Sequence, residues 1–385
     1  DRPAGQWTPN KDGGRENLEA VEFLRSLNRM AFSVDPSVLM VAEESTAWPL
    51  VTRPPESGGL GFNLKWNMGW MNDMCHYLKL DPYFRQFNHK DITFSMMYAF
   101  SENYVLPLSH DEVVHMKGSL VGKMPGDYEN QLRSLRGFYA YLLAHPGKKL
   151  LFMGPEIGQW HEWDAGGQLD WYLLDTEINR QTQMFFRAAN RFYQKTPPLW
   201  EVDFQWQGFE WLVPDDNHNN TVVFLRRDTK GRDLLCAVNF SPNAYADYRV
   251  GVPDHRRYVE VFNTDAMEFG GGGYGNPEPV AVEAIPSHGR EYSVALRIPP
   301  FGGVFLRGEG TAAAKKTTGK TTKRPTGKKT RPVPQTVELS AEKAVKVPGK
   351  KPEKTAPQKA GGSTAEQERN PGKAAAKCAA ARLEK

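Results

Sequence analysis

Tyr104-Val105-Leu106-Pro107-Leu108-Ser109-His110-Asp111-Glu112 is an apolar run of strand length that stops abruptly on polar and acidic side chains. The pattern recurs on both sides of it. Val38-Leu39-Met40-Val41-Ala42 ends at Glu43-Glu44-Ser45, and Lys149-Leu150-Leu151-Phe152-Met153 ends at Gly154-Pro155-Glu156. Continuous rather than alternating apolarity marks strands covered on both faces, as in a parallel sheet. Residues 61–66 make a weaker strand candidate, followed by a helix through Met71 and Tyr77. Helix-period runs lie between and around these segments: Leu18, Val21, Leu24 and Leu27; Leu132, Leu135, Tyr139 and Leu142; Met184, Phe185, Ala188, Ala189 and Phe192. Strand, polar cluster, helix, strand is the grammar of an α/β barrel or a doubly wound sheet.

Past Pro197-Pro198 the period changes. Short runs at 221–226, 234–240, 245–250, 258–262, 280–284, 292–298 and 303–306 are separated by turn residues, which describes a small antiparallel β-sandwich. From about residue 309 the composition shifts again. Residues 311–385 carry 19 Lys and Arg against 6 Asp and Glu, a net of +13, and not one of the 44 aromatics. Residues 1–310 hold the remaining 30 basic and 39 acidic side chains, a net of −9. The expected organisation is therefore 1–197 as a β/α part, 198–308 as the β-sandwich, and 309–385 as a disordered basic tail unable to bury a core.

Composition also excludes several classes. No apolar run approaches the roughly 20 residues that span a bilayer. Three scattered cysteines, Cys75, Cys236 and Cys378, give neither a disulfide framework nor a CxxC metal site, and fit a reducing, cytoplasmic compartment. The histidines at 76, 89, 110, 115, 145 and 161 form no ligand pattern, so neither metal nor cofactor is expected.

The chemistry sits where the strands end. Glu43 and Asp111 are carboxylates at the C-terminal ends of two different strands, and in a β/α barrel that edge carries the active site. Two convergent carboxylates are the machinery of glycosidic-bond chemistry. The plain alternative for either acid alone is a cap on the following helix. Trp48, Trp66, Trp70, Trp160 and Trp163 also follow strand ends, where flat rings either stack on sugars or pack into the core.

The segments 41–46 and 106–115, Val-Ala-Glu-Glu-Ser-Thr and Leu-Pro-Leu-Ser-His-Asp-Glu-Val-Val-His, resemble two blocks of the α-amylase superfamily (glycoside hydrolase family 13). More narrowly they are similar to the glycogen branching enzymes of bacteria. The resemblance extends through Gly13-Gly14-Arg15-Glu16-Asn17-Leu18-Glu19-Ala20, residues 61–70, Leu169-Asp170-Trp171 and Gly208-Phe209-Glu210-Trp211-Leu212, from near Asn10 to about Arg307. It implies the C-terminal half of a (β/α)8 barrel followed by an all-β sandwich, acting on an α-glucan such as glycogen or amylose. It implies Glu43 as general acid/base, Asp111 as the acid that stabilises the transition state, and His110 as a hydrogen-bond donor to the sugar. Neighbouring strand-end side chains point to opposite sides, so Glu43 and the adjacent Glu44 cannot serve equally; it is the resemblance to the family pattern that selects Glu43.

The family's nucleophilic Asp precedes the block that begins at Gly13, so the resemblance leads to the expectation that this chain lacks it and is inactive and poorly soluble alone. Asp1 and Asp12 follow no apolar strand and read as loop residues. Two other readings stay open: another α-amylase-type glucan hydrolase, and a non-catalytic glucan-binding protein. The Lys/Ala/Pro-rich tail suggests at most weak, salt-dependent contact with a polyanion such as nucleic acid.

Overall fold

In the computed structural model, which describes residue 3 and residues 5–311, the first helix, α1 (Leu18–Val34), starts where Asn17 caps it. The Asn17 side chain accepts from the Ala20 N–H, and the helix stops at Asp35 ahead of Pro36. Next come β1 (Val41–Ala42), β2 (Leu64–Trp66), α2 (Met68–Lys79), the short α3 (Pro82–Arg85), β3 (Tyr104–Leu108), α4 (Tyr128–Ala144), β4 (Lys148–Leu151) and α5 (Glu177–Lys195). Asn67, Asp81 and Asp127 each cap the helix that follows, accepting a backbone N–H.

The four strands form one sheet in the order β1-β2-β3-β4, every pair parallel. All five residues of β3 are buried, as its uninterrupted apolarity requires of an interior strand. β1 is shorter than its apolar run and, among the described residues, pairs with β2 alone. Met40, just before it, is tied instead by a loop: its carbonyl accepts from Asn63 and Leu64, and its N–H donates to the Asn63 side chain. Asp12 lies in a turn held by Asn10, while Asp1 lies outside the described residues.

Eight further strands build the all-β part: β5 (Phe209–Asp216), β6 (Thr221–Arg227), β7 (Asp233–Asn239), β8 (Tyr245–Val252), β9 (His255–Asn263), β10 (Val280–Ala281), β11 (Tyr292–Ile298) and β12 (Gly302–Thr311). Six of them form one sheet, β10-β9-β12-β7-β6-β5, and β11 pairs with β8 in a second. Both have their inner faces in a core of Val223, Leu225, Leu235, Val250, Val294, Leu296 and Leu306. β5 escapes a search for alternation: Pro214 and two register shifts break its period. β12 runs to Thr311, past the change of composition at 308; the basic tail expected there lies, from residue 312, outside the described residues.

A single apolar cluster joins the two parts. It takes in Trp70, Phe138 and Phe185 from helices α2, α4 and α5, and Phe209, Phe224 and Phe305 from the β-strands. α4 lies between the parallel sheet and β12 so closely that a Cβ on Gly137 would stand 2.4 Å from the backbone oxygen of Phe301. Gly137→Ala should thus destabilise the protein by about 1–3 kcal/mol, although alanine is the better helix former by about 1 kcal/mol. Urea unfolding checks it: overpacking predicts a lower midpoint, propensity alone a higher one.

Beneath this contact lies a charged junction. Asp203 and Arg226 are both fully buried and bonded at 2.8 Å; Asp203 also accepts from Lys148 Nζ at 3.0 Å and from the Gly147 N–H at 3.1 Å. Arg226 spends its other donors on the carbonyls of Ala144 and Gly208.

Candidate active site at the strand ends

Because β1 and β3 run parallel with β2 between them, Glu43 and the pair His110 and Asp111 leave the sheet at the same edge. Two strand spacings separate their backbones, roughly 10 Å.

The adjacent acids at each strand end divide sharply. Glu44 is half-buried and turned back: its carboxylate accepts from the Thr46 N–H at 2.7 Å. Burial pushes its carboxyl up, but the Thr46 hydrogen bonds and the Lys65 ammonium outweigh that and hold it below the usual range. Glu43 is exposed, and among the described residues no hydrogen bond or ion pair ties it down. At β3 the inner acid is Glu112, which is buried and accepts from both the N–H and the hydroxyl of Ser109, completing a capping box. Asp111 is left half-exposed at the rim. His110 stands beside it with Nε2 at 3.3 Å from Asp111 Oδ1, its ring tilted over Phe152 at 6.0 Å.

Three charged residues that sequence reasoning missed hold this edge. Lys65, buried within β2, donates to the carbonyls of Thr46 and Trp48 and so fixes the loop that carries Glu43 and Glu44. Lys123, also buried, donates to three carbonyls of the loop after Asp111, those of Glu112, Lys117 and Gly118. Burial lowers both lysines from the ordinary range. Glu162 reaches across to accept from the N–H groups of Met116 and Gly118 at 2.8 and 2.9 Å. These bonds matter because His115 and Met116 both take left-handed backbone angles, φ 58° and 64°, which costs a non-glycine residue energy. Lys123→Met should speed amide exchange over residues 114–118 at least about tenfold, since each hydrogen bond to a charged group is worth roughly 1.5–3 kcal/mol. Unchanged exchange there would show that the loop holds itself.

The tryptophans separate by burial. Trp70 is fully buried and stacks near Phe138, so it is core. Trp163 meets Phe152 edge-on at 5.0 Å, and Trp48 packs on the small cluster of Ala42, Val51 and Leu60. Trp160 is exposed, together with Trp171 and Tyr172 further along the same chain segment; His161 between them is bonded to Asp170 at 2.7 Å. These are open aromatic faces of the kind that sugars stack on. A cavity of about 470 Å³ lies at the opposite edge of the sheet, lined by Asn28, Phe32, Asn63 and Asn103, away from both carboxylates. Among the described residues no cluster of acids, histidines and cysteines is arranged to hold a metal ion, and no helix is long and apolar enough to cross a membrane.

Residues 211–309 match the family described as alpha amylase, C-terminal all-beta domain. Over 304 residues the chain is 50% identical to the 1,4-alpha-glucan branching enzyme GlgB of Halothermothrix orenii, covering 79% of this chain and 48% of that protein. It is 50% identical over 306 residues to the enzyme of the same name from Aquifex aeolicus, with 79% and 49% covered. The chain thus spans about half the length of these curated relatives. Among solved structures, an alpha-amylase from H. orenii superposes with a TM-score of 0.50 at 16% identity, over 80% of this chain and 60% of that one. At that identity the likeness speaks for the fold alone, and it agrees with half of a β/α barrel followed by an all-β domain.

Proposed function

We propose that this chain supplies the acid–base side of the active site of a 1,4-alpha-glucan branching enzyme, the family its sequence matches over four fifths of its length. The observation that carries the reading is the pair of unbonded or rim-exposed acids, Glu43 and Asp111, at one edge of a parallel sheet, each beside a second acid committed to structure. In this reading 1–197 is the barrel part and 198–308 the sandwich that braces it. The substrate is an α-glucan such as glycogen, and the setting is cytoplasmic glycogen synthesis.

Glu43 protonates the departing 4-oxygen of an α-1,4 linkage while the glucosyl carbon bonds to a nucleophilic carboxylate, for which no described residue is assigned. Glu43, now ionised, takes the proton from the 6-hydroxyl of an acceptor chain, whose oxygen displaces the nucleophile and forms the α-1,6 branch. Asp111 opposes the positive charge that grows at the anomeric carbon, and His110 donates to a sugar hydroxyl. Incubating the assembled enzyme with amylose tests this. Branching lowers iodine staining without a matching rise in reducing ends, whereas hydrolysis lowers the staining and raises the reducing ends together.

A further inference from the structure

The cavity of about 470 Å³ at the far edge of the sheet takes no part in the chemistry proposed above. Its walls are fixed by the fold itself. Asn28 donates to the Leu60 carbonyl at 2.8 Å, and Arg25 donates to those of Gly58 and Gly59 at 3.0 Å, so α1 is tied to the loop that faces it. On the other side the Asn63 side chain accepts from the Met40 N–H, and the Asn103 side chain donates to the Asn63 carbonyl. The Asn103 N–H donates to the Thr52 hydroxyl, which is bonded in turn to the buried Glu102. Each asparagine thus commits half of its amide to this scaffold. The other halves, the Asn63 amino group and the Asn103 side-chain carbonyl, have no partner among the described residues. They stand on neighbouring segments, since β2 and β3 pair with Lys65 opposite Tyr104. Phe32 and Phe62, both half-buried, add aromatic rings to the lining. Its two charged residues, Arg29 and Glu56, are paired with each other at 3.4 Å, so the lining carries no net charge.

We propose that this pocket is a second, non-catalytic glucan site that seats one or two glucosyl residues of a chain. The inference rests on the functional reading above. An amide donor beside an amide acceptor matches two neighbouring sugar hydroxyls, each of which both donates and accepts. Aromatic rings match the apolar faces of the same sugar. A phosphorylated sugar or a nucleotide would call for a cation free to meet it, and Arg29 is already paired. The volume lies within the range of pockets that hold small ligands. Position defines the role. β3 begins beside Asn103 and delivers His110 and Asp111 to the other edge; at about 3.4 Å per residue its five residues cover roughly 17 Å. A sugar seated here is out of reach of both carboxylates. The pocket instead tethers the polymer and raises the local concentration of its other chains at the catalytic edge.

The test follows amide exchange in the assembled enzyme with maltotriose, and with adenosine as the rival ligand that also offers a flat face and a donor beside an acceptor. Maltotriose should slow exchange at residues 28–32 and 61–63. Phe32→Ala should raise the maltotriose concentration needed by about five- to tenfold, the usual worth of an aromatic face. Arg29→Trp, at an exposed position on the lining, should block the pocket and abolish the protection. Unchanged amide protection of β6 and β7 shows that each variant folds. With amylose both variants should raise KM at least about threefold and leave kcat as it is, because the tether acts on binding alone. Protection by maltotriose in an enzyme that does not branch amylose would sink the functional reading and leave the site standing. Branching without that protection, protection by adenosine instead, or indifference to both variants would each overturn the proposal.

Discussion

On the function proposed above, Glu43→Gln in the assembled enzyme should lower branching of amylose by about 10²–10⁴-fold, the usual worth of general acid–base help, or roughly 3–5 kcal/mol. The amide is nearly isosteric with the acid and no bond in the site depends on it, because Glu43 ties down no neighbour. What is lost is proton traffic: the amide can neither protonate the departing 4-oxygen nor deprotonate the incoming 6-hydroxyl. Glucan binding survives, since stacking and hydroxyl contacts are untouched. A glucosyl fluoride donor needs little protonation of its leaving group, so its first step suffers far less. Glu44→Gln has the smaller effect, limited to the Thr46 bond it makes beside Lys65. Should Glu44→Gln abolish branching while Glu43→Gln leaves it near wild type, the assignment of the acid is wrong.

Asp203→Ala has the largest expected effect on stability, a loss of about 3–5 kcal/mol, because it strands Arg226 in the interior with its charge uncompensated. Burial pushes the Asp203 carboxyl up, yet the cations of Lys149, Arg226 and Lys148 outweigh it and hold it below the ordinary range. A carboxyl lowered in the folded state stabilises fully above its unfolded value near 3.9 and loses that contribution as pH falls through the folded value. The gap in urea midpoint between wild type and Asp203→Ala should therefore be widest at neutral pH and narrow only in acid, below about pH 4. A gap that stays constant down to pH 2 would mean that the carboxylate is not what holds the junction.

The strand–acid–helix repetition was legible because buried parallel strands must be apolar on both faces, and 104–108 could hardly be anything else. The cap-type residues Asn17, Asn67 and Asp127 that begin three helices are a further local signal, one the apolar periods alone did not use. Ser109 and Glu112 stand three apart in the pattern of a capping box, so even the demotion of Glu112 in favour of Asp111 had a local signal. The segments 41–46 and 106–115, with the blocks around them, carry enough identity to point to one family.

Other features depend on contacts between residues far apart in the chain, which no local pattern encodes. Lys65 and Lys123 read as ordinary polar positions, yet folding wraps the carbonyls of one strand-end loop around each ammonium and makes it a clamp on the rim. Trp70 follows a strand end as Trp160 does, but α2 turns its ring under Phe138 while Trp160 stays open. On α1, Val21 and Leu24 are packed while Phe23, Leu27, Met30 and Val34 stay exposed; both sets recur at the helix period, so sequence alone could not say which side was covered. Amino-acid order set the strands, the caps and the two acids on offer. Which acid stays free, which lysine holds the loop and which apolar face remains uncovered were decided by packing, because each depends on what other segments bring to within hydrogen-bond or van der Waals distance.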